Sequence, residues 1–422
     1  MPYRRTNRRE MLSALGAVWA SSLLSRIASA ATSKDTHVTA LLEEYVTRKK
    51  VAGVVAVVGT RGGPRFFSSG HIAYGGGAAS AGPDSLWRIY SMTKMVTGAA
   101  AMLLIESGEL ALDMPVAEIF PTFGSSEVLD RFPGSSQTHR AKSPITIRHL
   151  MTHTSGLVGS LVPEPPLSTV YVDRKLNVSR VSLEVDARVQ HQTSLLAFSA
   201  AAGTVPLAFD PGTRWSYGIS SDVLGGVVER VAGIPFEKFL QQRIFDPLRM
   251  SDTGFSVSAT DLARFATNYE VSSTGLEVVD APPQSIFAKP PPFPFPSSGL
   301  VSSAHDFARF TGMMLGEGTL EGTRVLAPQT ARLMMSNLLP AGVTENGQGW
   351  GAGGQVMLTS SGAATALGKT SGTYGWAGSS GTVAWIDRAN GLYAVLMAQY
   401  QPSDAYGLQS DFTRAIFADA SV

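Results

Sequence analysis

A serine and a lysine three residues apart, in Ser91-Met92-Thr93-Lys94, carry the best-defined chemistry in this 422-residue chain. On a helix, positions i and i+3 share a face, so the lysine amine can reach the serine oxygen. Serine is a poor nucleophile until a neighbouring base takes its proton, and a desolvated lysine of lowered basicity can be that base. The start of a helix adds free N–H groups and a positive dipole end, both useful to an oxyanion. Ser-x-x-Lys alone arises easily by chance, so its surroundings must decide.

Rival chemistries are poorly supplied. With no cysteine, disulfide scaffolds, thiolate metal sites and cysteine nucleophiles are excluded. No Gly-x-Ser-x-Gly occurs, so the strained nucleophile elbow of α/β-hydrolases is absent. His149 and His153 stand four apart, as two zinc ligands on a helix would, but Leu150 occupies the place of the zinc-protease glutamate. That pair is therefore expected to be structural, and no metal or cofactor is expected.

Several elements must position the serine. Asp35 to Lys50 has helical periodicity, and Val54–Thr60 with Phe66–Ile72 forms a hairpin around Arg61-Gly62-Gly63-Pro64. Ser91 to Glu106 is apolar nearly all round and stops at Gly108, as a buried helix would. Val223–Val231 and Phe236–Phe245 are the clearest helices of the middle region. Ala304–Gly316 is also helical, Val383–Ile386 pairs with Tyr393–Gln399, and Ser410–Ala418 closes the chain as a helix. Seven prolines between Pro282 and Pro296 predict an extended loop. Strands near both chain ends with helices between them imply an α/β fold. One sheet domain spans 31–85 and 299–422, and a mainly helical domain, 86–298, is inserted and includes the 282–296 loop.

Residues 1–30 carry five Arg against one Glu, a modest apolar stretch from Met11 to Leu24, and Ala28-Ser29-Ala30 before a cleavage point. Asn7-Arg8-Arg9-Glu10-Met11-Leu12 resembles the twin-arginine export motif. A bacterial protein exported to the periplasm or secreted is expected. The remainder is slightly acidic, which leaves no basic patch for nucleic acid. No apolar run reaches the roughly 18–20 residues of a membrane span.

The neighbourhood of Ser91 supplies the missing context. Ser85-Leu86-Trp87-Arg88-Ile89-Tyr90-Ser91-Met92-Thr93-Lys94, then Glu106-Ser107-Gly108-Glu109-Leu110 and Leu112-Asp113, resembles the serine β-lactamase and penicillin-binding-protein superfamily. The likeness is greatest to class C β-lactamases and family VIII carboxylesterases. Ile147-Arg148-His149-Leu150-Met151-Thr152-His153-Thr154-Ser155-Gly156-Leu157 is similar to a structural signature of that superfamily. Asp210-Pro211-Gly212 leading to Trp215-Ser216-Tyr217 is similar to the segment bearing its catalytic tyrosine. Gly299-Leu300-Val301-Ser302-Ser303 with Asp306 and Phe310 also fits. The resemblance spans roughly 36–418. It implies a class C β-lactamase-like fold, with an antiparallel sheet from both chain ends, flanking helices and an inserted helical region.

By that resemblance, Ser91 is the acyl-accepting nucleophile, Lys94 its proton partner, and Tyr217 shares the acid–base work. Lys94 and Tyr217 would titrate together, and either could carry the proton in a given step. The departures point to a substrate. Class C β-lactamases have Tyr-x-Asn, whereas this chain has Tyr217-Gly218-Ile219, and isoleucine cannot hydrogen-bond an acylamide. For the third motif, Trp376-Ala377-Gly378-Ser379 is preferred over Lys369-Thr370-Ser371-Gly372, because it leads directly into the strand Val383–Ile386 and resembles the Trp-Gly-Gly form of family VIII esterases. Ser91 and Ser379 would then supply the two N–H groups of an oxyanion hole, and Ile219, Trp376, Ala377 and Gly378 would bind substrate. Tryptophan in place of lysine removes a cation that would meet a β-lactam carboxylate. The function expected is serine hydrolysis of short-chain carboxylic esters. The alternatives are β-lactam or D-amino-acid-type peptide or amide hydrolysis, acyl transfer from the same acyl-enzyme, and, from another class, a binding protein without turnover.

Overall fold

The computed structural model describes residues 35–159, 164–178, 180–358 and 367–420; the export segment expected at 1–30 lies outside them. Helix α1 (Thr36–Thr47) leads into strands β1 (Gly53–Thr60) and β2 (Gly63–Gly70), joined at Arg61-Gly62. That turn is two residues shorter than the expected Arg61–Pro64 loop, because Gly63 and Pro64 already pair with Thr60 and Gly59. After β3 (Leu86–Arg88) come the helices α2 (Thr93–Glu106), α3 (Ile147–Met151), α4 (Leu195–Ala202) and α5 (Ser220–Ala232). The C-terminal part holds β4 (Val301–Ser303), α6 (Ala304–Leu315), β5 (Gly349–Trp350), β6 (Gln355–Val356), β7 (Tyr374–Ala377), β8 (Val383–Asp387), β9 (Leu392–Met397) and α7 (Leu408–Ala420).

Seven strands form one antiparallel sheet in the order β5-β6-β7-β8-β9-β1-β2, so its two halves come from opposite ends of the chain. The β-branched run of β1 favours a pleated, buried strand, and its alternation divides two cores. Val55 and Val57 face the large core with Tyr393, Val395 and Met397 of β9. Val54, Ala56 and Val58 face a smaller core with Trp385, Ala394 and Leu396. Helices α1 and α7 cover the smaller core through Leu42, Tyr45, Phe412 and Ile416. Phe307, Phe310 and Met313 of α6 fill the larger one. Each face of the sheet thus receives one set of alternating side chains.

Helix α2 is buried over all but its last two residues, from Thr93 to Leu104, which explains its apolar circumference. A Cβ on Gly98 would come within 2.2 Å of the Ala352 carbonyl oxygen, so only glycine lets α2 approach that loop. The segment expected as one helix, Phe236–Phe245, is α-helical only over Phe236–Leu240 and continues as a wider π turn, Gln241–Phe245. The proline-rich 282–296 stretch runs without a strand and contains one short 3-10 turn, Ile286–Ala288. Among the described residues, no helix is long and apolar enough to cross a membrane.

Candidate active site

The nucleophile turn is prepared by a two-stranded ribbon. β3 pairs with β4, Leu86 against Ser303 and Arg88 against Val301, and the Ile89 N–H bonds the Leu300 carbonyl at 3.1 Å. Arg88, 0% exposed, anchors this ribbon from below. Its guanidinium bonds the Asp280 carboxylate, the Ala266 carbonyl and the Ser285 hydroxyl. Tyr90 then adopts φ +41°, a sparsely populated conformation for a residue with a side chain. It directs the chain into a 3-10 turn, Tyr90–Met92, and on into α2. Ser91 therefore stands at the start of a buried helix, as its sequence context suggested.

Lys94 lies one turn on, with Nζ 3.3 Å from Ser91 Oγ and 2.8 Å from the Ser297 carbonyl oxygen. The same Nζ sits 4.4 Å from the ring centroid of Tyr217. Lys94 is buried despite its charge, a placement that requires partners.

Tyr217 comes from the loop before α5, and the His153–Leu157 segment holds that loop in place. Ser216 N–H bonds the His153 carbonyl at 2.9 Å, and Gly218 N–H bonds His153 Nδ1 at 3.3 Å. Ile219 N–H bonds the Val158 carbonyl at 3.3 Å, and the hydroxyls of Ser155 and Ser220 share a 2.8 Å bond. The His153 ring lies against that of Tyr217, centroids 4.8 Å apart. Burial, reinforced by the nearby Lys94 charge, pushes His153 well below the usual histidine range, so it is neutral. Since Nδ1 accepts from Gly218, Nε2 carries the proton and faces Ser221 Oγ at 3.5 Å. His149 does something else: its ring nitrogen and backbone complete a capping box with Thr146 at the start of α3. The two histidines thus serve separate structural tasks, and among the described residues no cluster of three or more metal-ligating side chains occurs.

Strand β7 places Trp376 on the same side as Tyr217. The indole Nε1–H donates to the Tyr217 hydroxyl oxygen at 3.0 Å. Trp350 packs edge-on against Trp376, with centroids 4.5 Å apart, and also contacts Tyr217 and His153. Lys369, the rival third-motif residue, lies on the opposite face of the sheet, its Nζ 5.1 Å from the Trp385 ring centroid. The geometry therefore brings Ser91, Lys94, Tyr217 and Trp376 together and leaves Lys369 apart. Gly378 ends β7 tightly against the nucleophile turn, since a Cβ there would meet the Ile89 carbonyl oxygen at 2.5 Å. Ala377 is half-buried beside it, and Ser379 is exposed in the turn that follows.

Ile219 departs from expectation. It is 0% exposed and packs into the large core at the start of α5. Its side chain forms the apolar backing of the tyrosine loop and offers no solvent-facing contact to a substrate.

Asp222, on the first turn of α5, was not singled out from sequence. It is 0% exposed; Oδ1 accepts from Ser297 N–H at 3.0 Å, and Oδ2 has no hydrogen-bond partner among the described residues. Burial pushes this carboxyl up to about 6, while the Lys94 charge and the Ser297 hydrogen bond pull the other way. The available signal was an acidic residue followed immediately by the apolar Val223-Leu224, on a face that must be buried.

Comparison with known proteins agrees with this construction. The beta-lactamase family model matches residues 38–417. An uncharacterized protein of Mycobacterium tuberculosis is 34% identical over 332 residues, covering 76% of this chain and 78% of its own. Esterase EstB of Burkholderia gladioli is 31% identical over 378 residues, covering 85% of this chain and 88% of its own. Among solved structures, EstCE1, described as a hydrolase with promiscuous acyltransferase activity, superposes with a TM-score of 0.75 at 23% identity, covering 92% of this chain and 99% of its own. A match over nearly the whole described chain, on a fold that builds a serine, a lysine and a tyrosine into one site, makes this chain a serine hydrolase belonging to the beta-lactamase family.

Proposed function

We propose that the protein hydrolyses short-chain carboxylic esters through an acyl-enzyme on Ser91. The observation that carries this reading is Lys94 Nζ 3.3 Å from Ser91 Oγ and 4.4 Å from the centre of the Tyr217 ring, with the Trp376 indole donating to the Tyr217 oxygen. Ser91 Oγ attacks the ester carbonyl carbon while its proton passes to the Lys94–Tyr217 pair. Charge developing on the carbonyl oxygen meets the N–H groups of Ser91 and Ser379. Collapse breaks the bond to the alcohol, which takes the stored proton as it leaves. Water, deprotonated by the same pair, attacks the acyl carbon; the bond to Ser91 Oγ breaks, the pair returns the proton to Oγ, and the acid leaves.

The preference for esters rests on what stands beside the tyrosine. Trp376, backed by the buried Trp350, presents aromatic surface where a cation would be needed for a β-lactam or peptide carboxylate. A neutral acyl or alcohol group suits that wall better, and an alcohol leaving group demands less of the general acid than an amine does. Ala377 and Gly378 would line the same edge of the cleft. The 31% identity to an esterase over 85% of the chain supports this choice.

The test is turnover of p-nitrophenyl butyrate beside nitrocefin by the purified mature protein, with Ser91→Ala as control and butanol as a competing acyl acceptor. Ser91-dependent ester cleavage that exceeds nitrocefin turnover is the expected result. Faster nitrocefin turnover would make the protein a β-lactamase, and a dominant butyl ester product would make it an acyltransferase. Ester hydrolysis that survives Ser91→Ala would remove the nucleophile assignment. Export by the twin-arginine route is proposed on the basic, apolar and Ala28-Ser29-Ala30 segments of the sequence. A mature N-terminus at Ala31 in exported protein checks it.

A further inference from the structure

The end of the proline-rich stretch forms a strap over α2. Thr97 Oγ1 donates to the Pro296 carbonyl at 2.6 Å, Lys94 Nζ to the Ser297 carbonyl at 2.8 Å, and Leu300 N–H to Thr93 Oγ1 at 3.2 Å. Three residues on one face of α2 thus grip consecutive parts of the strap. From the other side, Asp222 of α5 accepts the Ser297 N–H at 3.0 Å. The single residue Ser297 therefore stands between a buried carboxylate and the buried lysine, held through its N–H on one side and its carbonyl on the other.

We propose that Asp222 is the positioning residue for Lys94: its carboxylate fixes Ser297, whose carbonyl holds the lysine amine beside Ser91. This rests on the ester-hydrolase reading above and adds a positioning residue to it. A fully buried carboxylate with one oxygen unpartnered is expensive to keep. Removing water from both groups strengthens the attraction between them. Lys94 is the charged side chain that acts on Asp222. Neither α4 (Leu195–Ala202), packed on α5, nor the 296–300 strap brings a titratable group. His153 reaches the adjacent Ser221 and is neutral. The carboxyl itself, pushed up to about 6 by burial, is ionised at neutral pH.

Asp222→Ala removes the acceptor for the Ser297 N–H, and Asp222→Asn, which keeps an oxygen there, is the conservative rescue. With p-nitrophenyl butyrate, kcat of Asp222→Ala is expected to fall about 100-fold while KM changes little, the scale expected when a catalytic group loses its alignment, and Asp222→Asn is expected to recover most of that loss. Wild-type kcat in Asp222→Ala, or a lowered Tm alone, would overturn the proposal. Tm supplies an arm independent of activity. Lys94→Met should lower Tm by stranding Asp222, and Lys94→Met with Asp222→Asn should recover it. Additive Tm changes would overturn the link, even if the single Asp222 variant does not fold. Ser91→Ala, run alongside, separates the two readings. If it retains turnover, the hydrolase mechanism fails while the Tm cycle still decides the Asp222–Lys94 link.

Discussion

The Trp376 indole N–H donates to the Tyr217 phenol oxygen across 3.0 Å, joining residues 159 positions apart in the chain. The bond gives the tyrosine oxygen a fixed donor and so orients the phenol beside Lys94. Trp350 holds the indole edge-on from the other side. Trp376→Phe keeps the aromatic wall and deletes the donor. One such bond contributes about 1–1.5 kcal/mol, so kcat for p-nitrophenyl butyrate should fall about tenfold with KM nearly unchanged. Lys369→Ala, on the opposite face of the sheet, should leave kcat at the wild-type value. The reverse pattern would return the third motif to Lys369.

Gly378 allows β7 to touch the turn that carries the nucleophile. Gly378→Ala would push a methyl to within 2.5 Å of the Ile89 carbonyl oxygen and 2.2 Å of Thr382 Oγ1. The strand end must shift, and with it the Ser379 N–H. A displacement near 1 Å at a reacting centre lowers rates by about 100-fold, so kcat should drop by that order. Steady-state kinetics with an unaltered kcat would show that the contact is slack.

Arg88 and Asp280 form a buried ion pair directly beneath the nucleophile turn, at 0% and 4% exposure. Arg88→Met leaves Asp280 charged and partly unpaired, and removing one partner of such a pair destabilises by about 3–5 kcal/mol. Adding Asp280→Asn should restore part of that loss. Urea unfolding of the single and double variants measures both. Equal stabilities of wild type and Arg88→Met would mean that the pair holds nothing.

Asp306, on the first turn of α6, accepts from Asp252 N–H at 2.7 Å and Thr253 Oγ1 at 2.9 Å. Burial outweighs those bonds and pushes its carboxyl up to about 6. An acid whose folded pKa exceeds its unfolded one binds extra protons in the folded state, so its contribution to stability falls as pH rises from about 4 to about 6. Asp306→Asn should therefore gain on wild type across that window, by on the order of 2 kcal/mol. Denaturation midpoints at pH 4 and pH 7 test this, and a difference constant with pH would contradict it.

Much of the scaffold was legible because its causes are local. The β-branched run at Val54–Val58, the apolar helix from Thr93, and the proline-rich break at 282–296 each follow from a few consecutive residues and their backbone preferences. The Ser91–Lys94 contact was legible for the same reason, since helical spacing alone brings i and i+3 together. The ordered motifs then placed Tyr217 and Trp376 in one site, although nothing local joins them.

Tertiary packing decided the rest. Ile219 has the composition of a substrate contact or of a core residue, and the direction of α5 turned it inward. His153 became the scaffold of the tyrosine loop because the chain returns beside it at Ser216 and Gly218. Asp222 met the lysine through Ser297, a residue 75 positions further on, only because the strap crosses α2 at that point. Sequence by itself determined which side chains could do chemistry and which segments were helix or strand, since those depend on bonded neighbours. Which charge faces which, and which apolar residue faces the cleft, was decided by how the inserted helices pack on the sheet, because electrostatics and burial act through space.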